Sequence, residues 1–224
     1  MKCSSRSRFS VSIVKKQVMA ITGLLLCGFL VSHLLGNFLL FKGDRAFNSY
    51  SHALITNPLI IPAELGLLVI FLVHLFLAIK LTIENKMARP IDYYMKKHTG
   101  RGATFASSSM PYTGLIILGF IIYHLINFKY GPHYNITYDG VEMRDLYKLL
   151  IEYFSNIGNI AFYEFCMVAL GFHVSHGFWS AFQSLGFNHP RYNKSLECFS
   201  KMFGVVIALG YMSLPIYCYL QGAR

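Results

Sequence analysis

Residues 18–41 read VMAITGLLLCGFLVSHLLGNFLLF, a run of 24 residues without a charged side chain. A helix of roughly 20 apolar residues is long enough to cross the hydrocarbon core of a bilayer, which is about 30 Å thick. A secretory signal has a shorter apolar segment, of about 7–15 residues, and a small-residue cleavage site after it. No such site follows this run, so we expect a retained membrane-spanning helix.

Four more apolar runs follow, at residues 59–83, 111–128, 157–182 and 202–220, and the third opens with a proline, which suits a first helical turn. Only 13% of all residues are charged, compared with about 25% in a soluble domain. Lipid requires helices or closed barrels, and no run alternates with period two. The predicted fold class is an all-α integral membrane bundle of five transmembrane helices, one domain over residues 1–224.

The basic residues predict an orientation. Fourteen of the 20 lysines and arginines lie in the N-terminal arm and in the connections around residues 80–101 and 191–201, and six lie in the other connections and at the C-terminus. Because cytoplasmic loops carry the excess of basic residues, we expect the N-terminus in the cytoplasm, the C-terminus outside, and a multi-pass location in the inner (cytoplasmic) membrane. The net charge of +10 is thus a topology signal and predicts no nucleic-acid partner.

The long outer connection, residues 130–156, contains an amphipathic pattern. Apolar residues recur at helical spacing over residues 141–154, which predicts a helix. Such a helix either lies on the outer membrane interface or packs on the bundle.

Histidines occur inside four of the five spans, where ionisable side chains are costly and usually functional. His33 lies eight residues before the outer end of the first span, and His124 lies four residues before the outer end of the third. In the inward-running spans, His74 and His173 each lie nine residues before the inner end. The four histidines therefore form an outer pair and an inner pair. At a rise of about 1.5 Å per residue, the two pairs are separated by roughly 10–20 Å along the membrane normal.

Two facing histidines at each of two levels are what two bis-histidine haems require. A zinc or copper site is the weaker alternative, because its ligands would converge at one depth. Nine span glycines would let helices approach a flat macrocycle: Gly23, Gly28, Gly36, Gly66, Gly114, Gly119, Gly158, Gly171 and Gly177. His176 lies three residues after His173 on nearly the same helix face, so depth leaves the choice between them open. The remaining histidines, His52, His98, His133 and His189, are expected in solvated loops.

Five stretches resemble the two-haem cytochrome b membrane anchor of the succinate dehydrogenase/fumarate reductase family (succinate:quinone oxidoreductases), the single-polypeptide five-helix type. They are KKQVMAITGLLLCGFLVSHLLGN (15–37), AFNSYSHAL (46–54), ENKMARPIDY (84–93), FIIYHL (120–125) and GFHVSHGFWSAFQSLGFNHP (171–190). The last apolar run is generic.

The resemblance implies two haem b groups. His33 and His124 would ligate the iron of the outer, distal haem, and His74 and His173 that of the inner, proximal haem. It favours His173 over His176, which would then pack beside the ligand. It also implies a flavoprotein subunit and an iron–sulfur subunit on the cytoplasmic side, with membrane quinone as the substrate. The dicarboxylate site would lie on another subunit of this enzyme complex.

The sequence departs from the family pattern at two positions. Ser108 stands where an arginine is expected, and Gly171 stands where some fumarate reductases carry a proton-moving glutamate, two residues before the span-four ligand. Glu64 and Glu164, in outer halves of spans, are either quinone-protonating groups or interface residues with a polar partner. Lys97 and Arg101 are candidates for contacts with the propionates of the proximal haem.

Two other functions are compatible with buried histidines. One is the haem b subunit of another respiratory dehydrogenase, such as a formate or hydrogen enzyme. The other is a proton-coupled transporter, which should show broken helices or inverted repeats near the midplane. The sequence predicts no internal repeat.

Overall fold

A computed structural model describes residues 4–88 and 105–223, and the side chains of residues 12–88 and 108–223. Five helices in this part of the chain are long and apolar enough to cross a membrane, which confirms the predicted number of spanning helices. They are α1 (Ser4–Asn37), α3 (Ile60–Met87), α4 (Phe105–His124), α6 (Ile157–Ser184) and α7 (Asn193–Gly222); two short helices, which take the numbers between, lie in the connections.

The helices extend beyond the apolar runs. α7 begins nine residues before the predicted start at residue 202, and α3 ends four residues after residue 83. Polar residues in these extensions are paired: Lys15 of α1 contacts Glu84 of α3 at 2.5 Å, and Lys201 contacts Glu197 one turn away at 2.8 Å. Such pairs favour helix at positions that a hydropathy pattern excludes.

The third span differs from its prediction at both ends. α4 begins at Phe105, so Pro111 lies in the second turn and does not open the helix. A π-helical turn, Leu125–Lys129, follows His124 directly, with the Tyr130 N–H donating to the Leu125 carbonyl at 2.9 Å. The next residue, Gly131, has no Cβ, and a Cβ there would lie 1.9 Å from the Asn127 carbonyl oxygen. Single π-helical turns are frequent at functional sites.

The connections expected outside the membrane are more structured than the sequence indicated. They form the 3₁₀ helix Phe38–Lys42, helix α2 (Asp44–Ile55), strands β1 (Asn135–Tyr138) and β2 (Val141–Arg144), and helix α5 (Leu146–Tyr153). The strands pair as an antiparallel hairpin, closed by Asp139 and Gly140 at positive φ, as a two-residue hairpin turn requires. The helix predicted from residue 141 therefore begins only at Leu146. We call this end of the bundle the capped end, and the opposite end, where α1 begins, the basic end.

A buried asparagine connects α2 to the start of α5 at the capped end. The Asn48 side chain on α2 is 0% exposed; it donates to the Asp145 carboxylate at 2.8 Å and accepts from the Tyr147 backbone N–H at 3.0 Å. α5 thereby lies against α2, and its Ile151 faces Gly222 of α7. Of the two alternatives for this segment, the structure shows a helix packed on the bundle.

The tightest contact joins α6 and α7. A Cβ added at Gly204 would lie 2.6 Å from the Gly171 carbonyl oxygen, and one added at Gly171 would lie 2.9 Å from the Ala208 Cβ. Ser200 of α7 donates to the Ser175 carbonyl and accepts from the Trp179 N–H. Small residues allow this close approach of two backbones. Any side chain at position 171 would therefore be crowded by α7 from its first carbon atom.

Candidate functional site

α1 and α4 bring His33 and His124 together near the capped end. Their ring centroids are 6.1 Å apart and the ring planes are nearly perpendicular, at 89°. Two metal–nitrogen bonds of about 2 Å each, with the distance from each nitrogen to its ring centre, also give roughly 6 Å. The spacing of this capped-end pair therefore fits two axial ligands of one haem iron.

Aromatic side chains surround the capped-end pair. The Tyr163 hydroxyl of α6 lies 3.4 Å from His124 Nδ1, and Phe29 stacks on His33 with ring centroids 5.3 Å apart. The Tyr211 ring of α7 lies 6.2 Å from His33, while its hydroxyl donates to the Leu30 carbonyl. These rings provide a mainly apolar environment with few competing polar groups.

α3 and α6 place His74 and His173 at one level near the basic end, because each faces a threonine that lies eleven residues before a member of the capped-end pair. The two histidines face threonines of the neighbouring helices: Thr22 Oγ1 of α1 lies 3.2 Å from His74 Nδ1, and Thr113 Oγ1 of α4 lies 3.2 Å from His173 Nδ1. Thr22 precedes His33 by eleven residues in α1, so the two levels are about 16 Å apart along the helix.

Sequence reasoning missed both threonines, although a repeat marks them. Residues 19–34 and 110–125 share the pattern M-x-x-T-G-L-x-x-x-G-F-x-x-x-H-L, with eight identities in sixteen positions. The expectation of no internal repeat was therefore wrong. α1 and α4 are separated by one intervening spanning helix and run in the same direction, so this is a parallel repeat and not the inverted type of many transporters.

His176 lies beside His173 and is half-buried. The hydrogen-bond contact from Thr113 reaches His173, so the structure distinguishes the surroundings of two histidines that depth could not separate. Among the remaining histidines, His133 and His189 are exposed, whereas His52 lies in α2, half-buried, and not in a loop. His98 lies outside the described residues.

The glycines expected at a macrocycle have different surroundings. A Cβ at Gly23 would lie 3.3 Å from His74 Cε1, and one at Gly114 would lie 3.5 Å from His173 Cε1. Gly36 instead faces the Tyr50 ring, and Gly171 faces α7. Three further glycines, Gly28, Gly66 and Gly119, have no atom within 4 Å of a hypothetical Cβ. Only Gly23 and Gly114 therefore border the histidines in the part of the chain that the structure describes.

The two span glutamates have different surroundings. Glu64 of α3 forms an ion pair with Lys129 at 2.6 Å. It therefore matches the second of the two alternatives, an interface residue with a polar partner. Both carboxylate oxygens of Glu164 on α6 are buried, and within the described residues neither has a hydrogen-bond partner. Glu164 is thus the glutamate whose chemistry the fold leaves unexplained. Lys97 and Arg101, the propionate candidates, lie outside the described residues.

No family model, curated protein or solved structure matches the chain. The histidine pairs and the side chains around them are therefore the basis for a functional proposal.

Proposed function

We propose that this chain is the membrane anchor and di-haem electron-transfer subunit of a succinate:quinone oxidoreductase. It would pass electrons between an iron–sulfur subunit and membrane quinone. The observation that carries this proposal is the pairing of four span histidines, one from each of α1, α3, α4 and α6, at two levels of the bundle.

The spacing within the capped-end pair, and the contacts of the basic-end pair, support axial ligation. At the capped-end level the ring centroids of His33 and His124 lie 6.1 Å apart, a separation that matches two imidazoles bound to one iron. At the basic-end level His74 and His173 each have a hydroxyl at Nδ1, which leaves Nε2 of each ring available as a ligand. Haem b, when bound, supplies a one-electron carrier at each level.

The protein residues hold these carriers in a water-poor environment. α1 and α4 set one level, α3 and α6 set the other, and about 16 Å of helix separates the two. Phe29, Tyr163 and Tyr211 line the capped-end level. Burial and hydrogen bonding of this kind are the means by which a protein sets a haem potential.

The orientation proposed from the basic residues gives each end a role. The basic end would face the cytoplasm of the inner membrane and contact the flavoprotein and iron–sulfur subunits through its lysines and arginines. Quinone would react near the capped end, where the buried Glu164 carboxylate would exchange its proton. Succinate or fumarate would bind on the flavoprotein subunit.

Haem content and reductant specificity test this proposal. The purified complex should contain two low-spin b haems per copy of this chain in a dithionite-reduced difference spectrum. Succinate should reduce them, and added quinone should reoxidise them. One haem per chain would mean that one histidine pair is structural. Reduction by formate or hydrogen and not by succinate would support another respiratory dehydrogenase. A folded chain without haem, produced with haem available, would refute the cytochrome proposal.

A further inference from the structure

The two threonines of the internal repeat occupy equivalent places. Thr22 and Thr113 are 7% and 8% exposed, lie eleven residues before His33 and His124, and each approach the Nδ1 atom of a histidine on the following spanning helix at 3.2 Å. The sequence repeat is thus also a repeat of contacts. α1 packs against α3 as α4 packs against α6.

Each threonine hydroxyl already has an acceptor for its only proton. Thr22 Oγ1 lies 2.9 Å from the Val18 carbonyl and 3.0 Å from the Met19 carbonyl. Thr113 Oγ1 lies 3.2 Å from the Ser109 carbonyl and 3.1 Å from the Met110 carbonyl. Bonding of this kind to the preceding helical turn is common for threonine. A hydroxyl that donates to a carbonyl presents lone pairs, and not a proton, to the neighbouring imidazole.

The imidazole must then supply the proton. With Nδ1–H donating to the threonine oxygen, a neutral ring carries its free lone pair on Nε2. That nitrogen is the one able to ligate iron. A hydrogen bond from the second ring nitrogen fixes the tautomer and ring orientation and makes the ligating nitrogen a stronger donor.

We infer that Thr22 and Thr113 are positioning residues that hold His74 and His173 as the Nδ1–H tautomers, through a relay from imidazole to hydroxyl to backbone carbonyl, and so tune the basic-end haem alone. This inference rests on the proposed function. Both relays act at the basic-end level, because the two threonines contact the two ligands of a single haem. The capped-end pair is differently built, since His124 faces the phenol of Tyr163.

Glycine beside each threonine is part of the same arrangement. Hypothetical Cβ atoms at Gly23 and Gly114 would lie 3.3 and 3.5 Å from the Cε1 atoms of His74 and His173. The repeated Thr-Gly dipeptide thus combines a hydrogen-bond acceptor with space for the ring that it holds.

The test compares Thr22→Val and Thr113→Val with the matching serine variants in the purified complex, by redox titration of both haems. The basic-end haem is identified as the one lost in His173→Ala. Valine has the shape of threonine without the hydroxyl. We expect its iron-bound imidazole to be a weaker donor, so that the potential of this haem rises by about 59 mV, a tenfold change in a one-electron equilibrium. The serine variants keep a hydroxyl, so the potential of their basic-end haem should equal that of the wild type. The potential of the capped-end haem should not change in any of these variants.

The control is Thr56→Val at the capped end. The Thr56 hydroxyl donates to the His52 carbonyl four residues earlier, at 2.8 Å, and so makes the same kind of backbone hydrogen bond away from the paired histidines. It should change neither potential. Unchanged potentials in both span variants, equal shifts in both haems, or serine variants that behave like valine would overturn the inference.

The tautomers can also be measured without substitution. Nitrogen-15 spectra of the haem-free, histidine-labelled chain should show Nδ1–H rings for His74 and His173, assigned by comparison with single histidine variants. Nε2–H rings at both positions would overturn the inference even if a valine variant failed to fold. Absence of haem from the wild-type complex would instead refute the proposed function, so the two failures are distinguishable.

Discussion

Replacement of Gly204 by alanine should force apart the two helices that pack most closely in the bundle. The new Cβ would lie 2.6 Å from the Gly171 carbonyl oxygen and 2.6 Å from the Ser175 Cβ, whereas ordinary contact begins at 3.4 Å. α7 must therefore retreat by about 0.8 Å, or α6 must shift and displace His173. Overpacking of this kind costs about 1–3 kcal/mol.

Gly66→Ala is the matched control. A Cβ at this mid-helix position in α3 would have no atom within 4 Å, and both substitutions gain the same helix propensity, about 1 kcal/mol. The difference between the two variants therefore isolates the overlap. At about 2–4 °C per kcal/mol for a chain of this size, Gly204→Ala should unfold about 2–12 °C below Gly66→Ala.

The protein carries its own unfolding probes. Cys166 on α6 and Cys218 on α7 are free thiols with 1% and 0% exposure. After the accessible thiols have been blocked in the folded protein, a thiol-reactive fluorophore reports the temperature at which these two become exposed. Equal midpoints for the two alanine variants would refute the close α6–α7 crossing.

Four further substitutions test other parts of the structure. His173→Ala should remove the basic-end haem while His176→Ala retains it, since Thr113 contacts only the former; loss of that haem in His176→Ala alone would reverse the assignment in a haem-content assay. Glu164→Gln should raise the thermal midpoint, because an unpartnered buried carboxylate is destabilising, and should slow quinone reduction; an unchanged rate would exclude a proton-transfer role. The hydrogen bond from Tyr138 lowers the pKa of Asp44 below its usual 3.8, so this carboxylate stabilises the cap at neutral pH and stops doing so as the pH falls through the lowered pKa. The protection factors of the hairpin amides, which are corrected for the slower intrinsic exchange in acid, should therefore fall as the pH is lowered, and Asp44→Asn should weaken that pH dependence; an identical acid profile of the protection factors in the variant would show that Asp44 does not contribute.

The sequence predicted correctly those features that depend mainly on a residue's own helix. Apolar runs long enough to span lipid identified five helices, because transfer of side chains into hydrocarbon is a local property. Counting residues from the ends of those runs also placed the four paired histidines at two depths, because helical rise is constant.

Local patterns failed where a segment is stabilised by distant residues. Lys15 lies in the part of α1 that precedes its apolar run and pairs with Glu84, 69 positions away. Helix α2 and the β-hairpin were not predicted, because this region is held by contacts such as that between Asn48 and Asp145, which hydropathy does not record. Pro111 was taken for the start of a helix because proline suits a first helical turn.

The candidate site divides in the same way. The sequence by itself determined which histidines lie in the membrane and at which level, since composition and helical rise fix both. Only the tertiary structure decided that Thr22 faces His74 and Thr113 faces His173, and that Gly171 must remain small beneath Gly204. These features depend on the rotation of each helix about its own axis. That rotation is set by the packing of all five helices together, and no single stretch of the chain contains it.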